Sequence, residues 1–204
     1  MGRPYRIYME VGGQFASFRD PSSGSGIETY PVPTYSQAKG IMECIAMQPG
    51  AYIHPTSVEI CFPLGRMGLT FNYMGPLRKS TSTANGDGAQ ISMTVLVDPC
   101  YRIYATVEAD PRSCSKEKNA AHCLQAKFIR RLKNGQCLRR PCLGISDFPV
   151  TYFGSFREEI KVASFVNIKL RTMTKAIFNE PFNGKYAPSY YHNVFIRRGV
   201  MHYA

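Results

Sequence analysis

Two helical stretches, each set between short runs of alternating apolar and polar residues, predict an α+β fold of the ferredoxin-like, split βαβ kind for this 204-residue chain. Three observations carry the expectation. The elements read strand, helix, strand, projecting flap, strand, helix, strand; the first helix opens on a capping box and the second on an asparagine cap; and that order builds one antiparallel sheet with both helices on one face. The length allows one domain with a full core, or one with a small appendage. The expected division is a ferredoxin-like domain over residues 1–154, with its flap at about 65–90, and an accessory sheet over 155–204.

Residues 5–11 alternate and form the first strand, broken by Gly12 and Gly13. A loop over 15–30 follows, with Arg19 as its clearest cation. Thr34 and Gln37 make the capping box, in which each side chain satisfies the other's free backbone N–H. Ala38, Ile41, Met42 and Ile45 give that helix a buried face, and Pro49 and Gly50 end it. Gly40 costs about 1 kcal/mol against alanine at mid-helix, which predicts close packing at that point. Residues 58–62 are a strand ended by Pro63. Residues 65–90 read as an irregular hairpin or flap bearing Arg66, Arg78 and Lys79. Residues 91–97 and 101–108 alternate as strands joined at Asp98 and Pro99. Asn119 caps the second helix, Ala121, Leu124, Phe128 and Leu132 form its apolar face, and Asn134 and Gly135 stop it. Residues 136–144 are a loop, 145–153 a strand, and the tail holds β-like runs at 162–170 and 194–201.

The formal charge is +11, from 25 Lys and Arg against 14 Asp and Glu, with only 19% of residues charged. The excess is thus a sign bias, which points to nucleic acid first and an anionic membrane second. Against a membrane, no run of 18 apolar residues exists, no secretory apolar segment follows the N-terminus, and Arg6 stands where myristoylation needs Ser or Thr. The seven cysteines are odd in number and lack a CxxC pair, so reduced thiols in a cytoplasm are expected. The spacing of Cys114, His122, Cys123, Cys137 and Cys142 matches no usual zinc set, and neither metal nor cofactor is expected. The charge concentrates at residues 118–144, where Lys118, Lys127, Arg130, Arg131, Lys133, Arg139 and Arg140 occur without one Asp or Glu. A solvated helix face normally mixes signs; a one-signed face anchored by Leu and Phe is a phosphate-facing platform.

Residues 13–18 (GQFASF), 30–45 (YPVPTYSQAKGIMECI) and 140–144 (RPCLG), with a weaker match at 194–200 (VFIRRGV), resemble the Cas-five family of the RAMP superfamily, most closely its type I-C branch. The family belongs to the prokaryotic CRISPR surveillance complex called Cascade. The resemblance implies a RAMP fold that grips the 5′ handle of the crRNA, a flap reaching the neighbouring backbone subunit, contact with the large subunit, and target DNA met indirectly. In the I-C branch it also implies a metal-independent endoribonuclease, using a Tyr near the end of the first helix and a Lys-His pair opening the second. In this chain those positions read Ala46 and Ala121-His122, so only the histidine is kept. Metal-free RNA cleavage needs a base for the 2′-hydroxyl and a cation for the phosphorane, and neither Lys118 nor Lys127 copies the missing lysine.

The expectation is therefore a crRNA 5′-handle-binding subunit, with the weight against catalysis. Arg130, Arg131, Lys133, Arg139, Arg140 and Gly144 are expected on handle phosphates, with Lys118 and Lys127 on the same helix and Arg66, Arg78 and Lys79 on the flap. Lys39 and Arg19 line the opposite wall, and Tyr30 and Tyr35 stack on unpaired bases. For His122 three roles stand open: an RNA contact, a residual catalytic base, or a structural histidine. Two alternatives remain: an endoribonuclease rearranged around His122, and a general basic single-strand-binding domain.

Overall fold

The computed structural model describes residues 5–24, 26–73, 89–110, 119–178 and 185–203. Its centre is the expected split βαβ unit. Strand β1 (Tyr5–Gly13) leads through a short β2 (Phe15–Ala16) to helix α1 (Tyr35–Glu43) and β3 (Ala51–Ile60); β6 (Cys100–Ala109) leads to helix α2 (Ala120–Lys133) and β7 (Val150–Gly154). These strands lie in the order β7, β1, β6, β3, all antiparallel. On one face Ile7, Met9, Val11, Tyr101 and Ile103 are buried against Ala38, Ile41 and Met42 of α1 and Leu124, Phe128 and Leu132 of α2. Truncating a buried ring such as Phe128 to alanine removes about 3–5 kcal/mol.

Both helix starts follow the sequence. Thr34 N donates to Gln37 Oε1 at 2.9 Å while Gln37 N donates to Thr34 Oγ1 at 3.3 Å. Asn119 Oδ1 accepts from His122 N at 3.0 Å, and Gly135 takes φ +63° just past the end of α2. Helix α1 stops at Glu43, before the predicted Pro49, because the Cys44 carbonyl accepts from Leu138 N and Arg139 N at 2.7 and 3.2 Å. The expectation for Gly40 is corrected too: a Cβ there would meet nothing within 4 Å.

The flap is more regular than its sequence suggests. Strands β4 (Gly65–Tyr73) and β5 (Ala89–Val97) pair along their length, and β2 joins them in a second sheet in the order β2, β5, β4. Residues 91–97 thus belong to the flap rather than to the central sheet. Residues 74–88, with Arg78 and Lys79, and 111–118, with Lys118, lie outside the described residues. The final central strand starts at Val150, five residues later than predicted, because Ile145 and Phe148 pack under the flap with Met93 and Val95.

The sequence predicts an accessory sheet for the tail. Instead β8 (Ile168–Phe178), β9 (Tyr186–Arg197) and β10 (Val200–His202) extend the central sheet, since β10 pairs with β3 and makes one seven-stranded sheet. Between β7 and β8 the chain crosses the sheet face opposite the helices. There Glu10, fully buried, accepts from Arg102 Nε at 3.2 Å and Arg157 Nε at 2.6 Å. Arg102 Nη2 also donates to the carbonyls of Arg157 and Ile160 at 2.9 and 2.5 Å, and the Phe156 ring covers its guanidinium at 4.7 Å.

Removing the carboxylate leaves two guanidinium groups facing one another at the sheet, so Glu10→Ala is expected to cost about 3–5 kcal/mol in chemical denaturation. A loss under about 1 kcal/mol contradicts this account of the crossing. Burial, aided by Glu59, pushes the Tyr104 phenol up to about 12, and burial pushes Tyr191 up to about 12. Burial also holds Tyr101 and Tyr203 well above the ordinary range. An unfolded chain loses these protons near pH 10. Their stabilisation is therefore complete below about pH 10 and is lost as pH rises towards 12. Phenolate absorbance and loss of ellipticity are expected to rise together in that window; early phenolate without unfolding counts against it.

Candidate nucleic-acid interface

Helix α1, the loop after α2 and the end of that loop enclose a cleft of about 290 Å³, lined by Gln37, Gly40, Ile41, Cys44, Arg139, Arg140, Cys142 and Gly144. The missing side chain of Gly40 keeps its helix wall open. The two arginines stand at the rim, both exposed, and Arg140 Nη2 donates to Val150 O at 3.2 Å. The loop that carries them is fixed by backbone bonds: Leu138 and Arg139 to Cys44, Leu143 N to Phe148 O at 2.9 Å, and Ser17 N to Leu143 O at 3.0 Å. Gly144 has φ +100°, and a Cβ on it would lie 1.7 Å from Ser17 O. A glycine is required there by the close approach of two chain segments. Burial raises the Cys44 thiol above its ordinary range, against the pull of Arg139, so it stays protonated beside the cleft.

The other predicted residues are spread more widely. Arg130 and Lys133 are exposed on the last turns of α2. Lys127 Nζ donates to Gln48 Oε1 at 2.5 Å and Arg131 Nη1 to Ile45 O at 3.0 Å, so these two tie α2 to the turn after α1. Arg66 sits on the flap, 3.8 Å from Glu28, and Arg19 is exposed on the loop before α1. Tyr30 is corrected as a stacking residue: it is 4% exposed, with its hydroxyl donating to Asp20 Oδ1 at 3.1 Å. No ring face is left for a base.

His122 is on the first turn of α2, its ring edge-on to Tyr5 at 5.8 Å. Ala46 and Ala121, where the family resemblance places a tyrosine and a lysine, are both in the core at 0% and 3% exposure.

Sequence reading missed a second polar cluster. Tyr35 and Lys39, one turn apart on α1, share a pocket of about 330 Å³ with Tyr52 and His54 of β3 and with Ile177 and Phe178 of β8. Tyr35 Oη lies 3.0 Å from His54 Nδ1, and His54 Nε2 lies 3.7 Å from Glu108 Oε2 on β6. The proline at 55 makes residue 54 read as loop. In the structure the strand keeps going, with a register shift between Pro55 and Ser57. The signal available was the spacing of Tyr52 and His54, two apart and so on one face of a strand.

A split βαβ sheet with a flap hairpin and a basic cleft beside its first helix defines a ferredoxin-like RAMP protein. The chain belongs to the CRISPR-associated Cas5 family, whose Cas5d profile matches residues 7–165. It is similar to a protein of Mannheimia succiniciproducens named CRISPR pre-crRNA endoribonuclease Cas5d, 26% identical over 162 residues, with 72% of this chain and 71% of that protein covered. A protein of the same name from Thermus thermophilus is 29% identical over 156 residues, covering 72% of this chain. Only 63% of the Thermus protein's own length, under two thirds, is matched. The fold is shared with a crystal structure titled CRISPR-associated protein, at TM-score 0.73 and 19% identity, covering 100% of this chain and 95% of that one. A functionally uncharacterized Streptococcus mutans protein superposes at TM-score 0.71 and 18% identity, covering 98% and 92%. Among the described residues, no helix is long and apolar enough to cross a membrane.

Because Gly144 is set by backbone contact, Gly144→Ala is expected to lower stability by at least about 2 kcal/mol. Thermal melting of the free protein checks this; an unchanged melt with abolished RNA binding assigns the glycine to the ligand instead.

Proposed function

We propose that this protein is a crRNA-binding subunit of a type I CRISPR surveillance assembly, holding the 5′ handle of the RNA in the cleft beside α1. The observation that carries the reading is the convergence of Arg139, Arg140 and the open Gly40 wall on one cleft, held by a backbone-braced loop. Guanidinium groups on a fixed frame suit phosphates, which they bind in bidentate fashion. Arg130 and Lys133 on α2 and Arg19 before α1 extend the basic surface, and no acidic residue occurs in 118–144 to offset it. The flap hairpin, with Arg66 on β4, is the element proposed to meet a neighbouring backbone subunit, and the large subunit is a further partner. Target DNA is reached through the RNA.

The names of the two curated relatives favour a second reading, a metal-independent endoribonuclease acting on precursor crRNA. Among the described residues at the opening of α2, His122 has an asparagine and a tyrosine for neighbours, and buried alanines stand where the resemblance places a phenol and an ammonium. RNA binding is therefore the proposed role of that face.

Handle RNA binding followed by fluorescence anisotropy across a salt series tests the proposal. Replacing Arg139 and Arg140 together by alanine is expected to weaken handle binding and to flatten the slope of log K against log salt by about 0.7 for each phosphate no longer neutralised. The handle is expected to outcompete a scrambled strand of the same length. Equal affinity for both, with the same slope, favours a general single-strand-binding domain.

A further inference from the structure

Two cysteines that RNA binding at the cleft does not use face each other at the root of the flap. Cys61 follows directly on β3 and Cys100 opens β6, so the β4–β5 hairpin is strung between them. The antiparallel register that sets Ile60 opposite Tyr101 sets Cys61 opposite Cys100 at the next step, where Cys61 N donates to Cys100 O at 2.9 Å. Residues opposed in such a hydrogen-bonded pair have Cα atoms about 5.5 Å apart, within the span that a disulfide bridges. Their two thiols share a hydrogen bond, which together with burial pushes the Cys61 thiol up. The same bond holds the Cys100 thiol below its ordinary range, against burial. Arg157, whose Nε serves Glu10, turns its Nη2 to Cys100 Sγ at 3.7 Å. Each cysteine is 5% exposed, which leaves room for a small reagent only.

We propose that Cys61 and Cys100 are a redox-reactive pair that a hydroperoxide converts to a disulfide, stapling the root of the flap. The Cys100 thiolate attacks one peroxide oxygen, and the oxygen–oxygen bond breaks. A sulfenic acid forms on Cys100, and the departing hydroxide takes up the proton that the thiol had lost. Cys61 Sγ then attacks the Cys100 sulfur; the sulfur–sulfur bond forms, the sulfur–oxygen bond breaks, and the oxygen leaves as water with the Cys61 proton. Two thiols are oxidised by two electrons, and one peroxide is reduced to two waters. Arg157 is a positioning residue here, its guanidinium favouring the thiolate on Cys100. The bridge closes a loop over the whole hairpin, which takes freedom from the unfolded chain and fixes the base of the element proposed to meet a neighbouring subunit. The inference does not depend on RNA binding. Packing alone explains two small buried residues at a strand end. It does not explain two thiols in mutual contact with a guanidinium on the more acidic one.

The test treats the reduced full chain with hydrogen peroxide, alkylates the remaining thiols and maps tryptic peptides without reduction. Arg66, Arg78 and Lys79 lie between the two cysteines, so the digest puts them on separate peptides unless they are bridged. A linked peptide lacking two hydrogens and split by dithiothreitol is expected, with fragmentation placing the bridge at Cys61 rather than at Cys44 of the same peptide. Oxidation is expected to raise the melting temperature by at least about 5 °C. Cys61→Ser and Cys100→Ser each abolish both the link and the rise. Arg157→Lys slows bridging at least about 10-fold by weakening its hold on the thiolate, an effect on rate that a merely structural arginine does not have. Full alkylation of Cys61 and Cys100 after peroxide overturns the inference, and the wild-type map gives that result whether or not a variant folds. A bridge from either cysteine to Cys44, Cys123, Cys137 or Cys142 overturns it too. A 61–100 bridge with an unchanged or lowered melting temperature overturns the stapling.

Discussion

The buried carboxylate of Glu10 is the interaction on which the arrangement of this sheet depends. Strand β7 lies at one edge and β8 at the other, so the chain between them must cross the whole sheet. It does so on the face away from the helices. Arg157 fastens the crossing to β1 through Glu10, Arg102 of β6 holds the carbonyls of residues 157 and 160, and Ala163 N donates to Ile60 O of β3 at 2.8 Å. At its end Gly199 N donates to Val166 O at 2.8 Å, and a Cβ on Gly199 would lie 2.7 Å from Ala163 O. The strap thus delivers β8 to β10 to the outer edge of β3. A charge buried without partners costs several kcal/mol, so Glu10 and its two arginines stand or fall as a unit.

The helix face is braced by charge used in a different way. Lys127 and Arg131 look like phosphate ligands by composition, yet both turn inward and satisfy the carbonyls and the amide of residues 45–48. That leaves Arg130 and Lys133 facing outward from α2. The loop after α2 satisfies the orphan carbonyl at the end of α1 with its own N–H groups, which is why α1 ends there and why Arg139 and Arg140 come to its side. The basic cleft is a by-product of how two helix ends satisfy each other.

What was legible in the sequence was local. The capping box at Thr34, the cap at Asn119 and the apolar face from Ala121 to Leu132 depend on residues a few positions apart, and each is present in the structure. What was not legible depends on distant chain. Glu10 belongs to the polar side of an alternating strand and is buried by residues about 147 positions later, where Arg157 closes over it. His54 is hidden by the proline that follows it, since a bulge lets the strand continue. The two telling glycines also split: Gly144 answers a backbone contact with Ser17, far away in sequence, while Gly40 answers open space. A sequence shows that a glycine stands at a position, but only the fold shows whether it makes room for protein or for solvent.

Helix α1 ties the two faces of the site together. Its residues Gln37, Gly40 and Ile41, with Cys44 just past its end, line the basic cleft at spacings of three and four, while Tyr35, Ser36, Lys39 and Glu43 line the pocket beneath β8. One nine-residue helix thus presents an open, arginine-rimmed side and a phenol-imidazole side. The same helix is locked at its start by the capping box and at its end by the loop after α2. The buried alanines at 46 and 121 pack behind it in the common core. Strand β8 supplies Ala176, Ile177 and Phe178 to the far wall of that pocket. The extension of the sheet by the tail is therefore what creates the second pocket, and the strap over Glu10 is what brings the tail there.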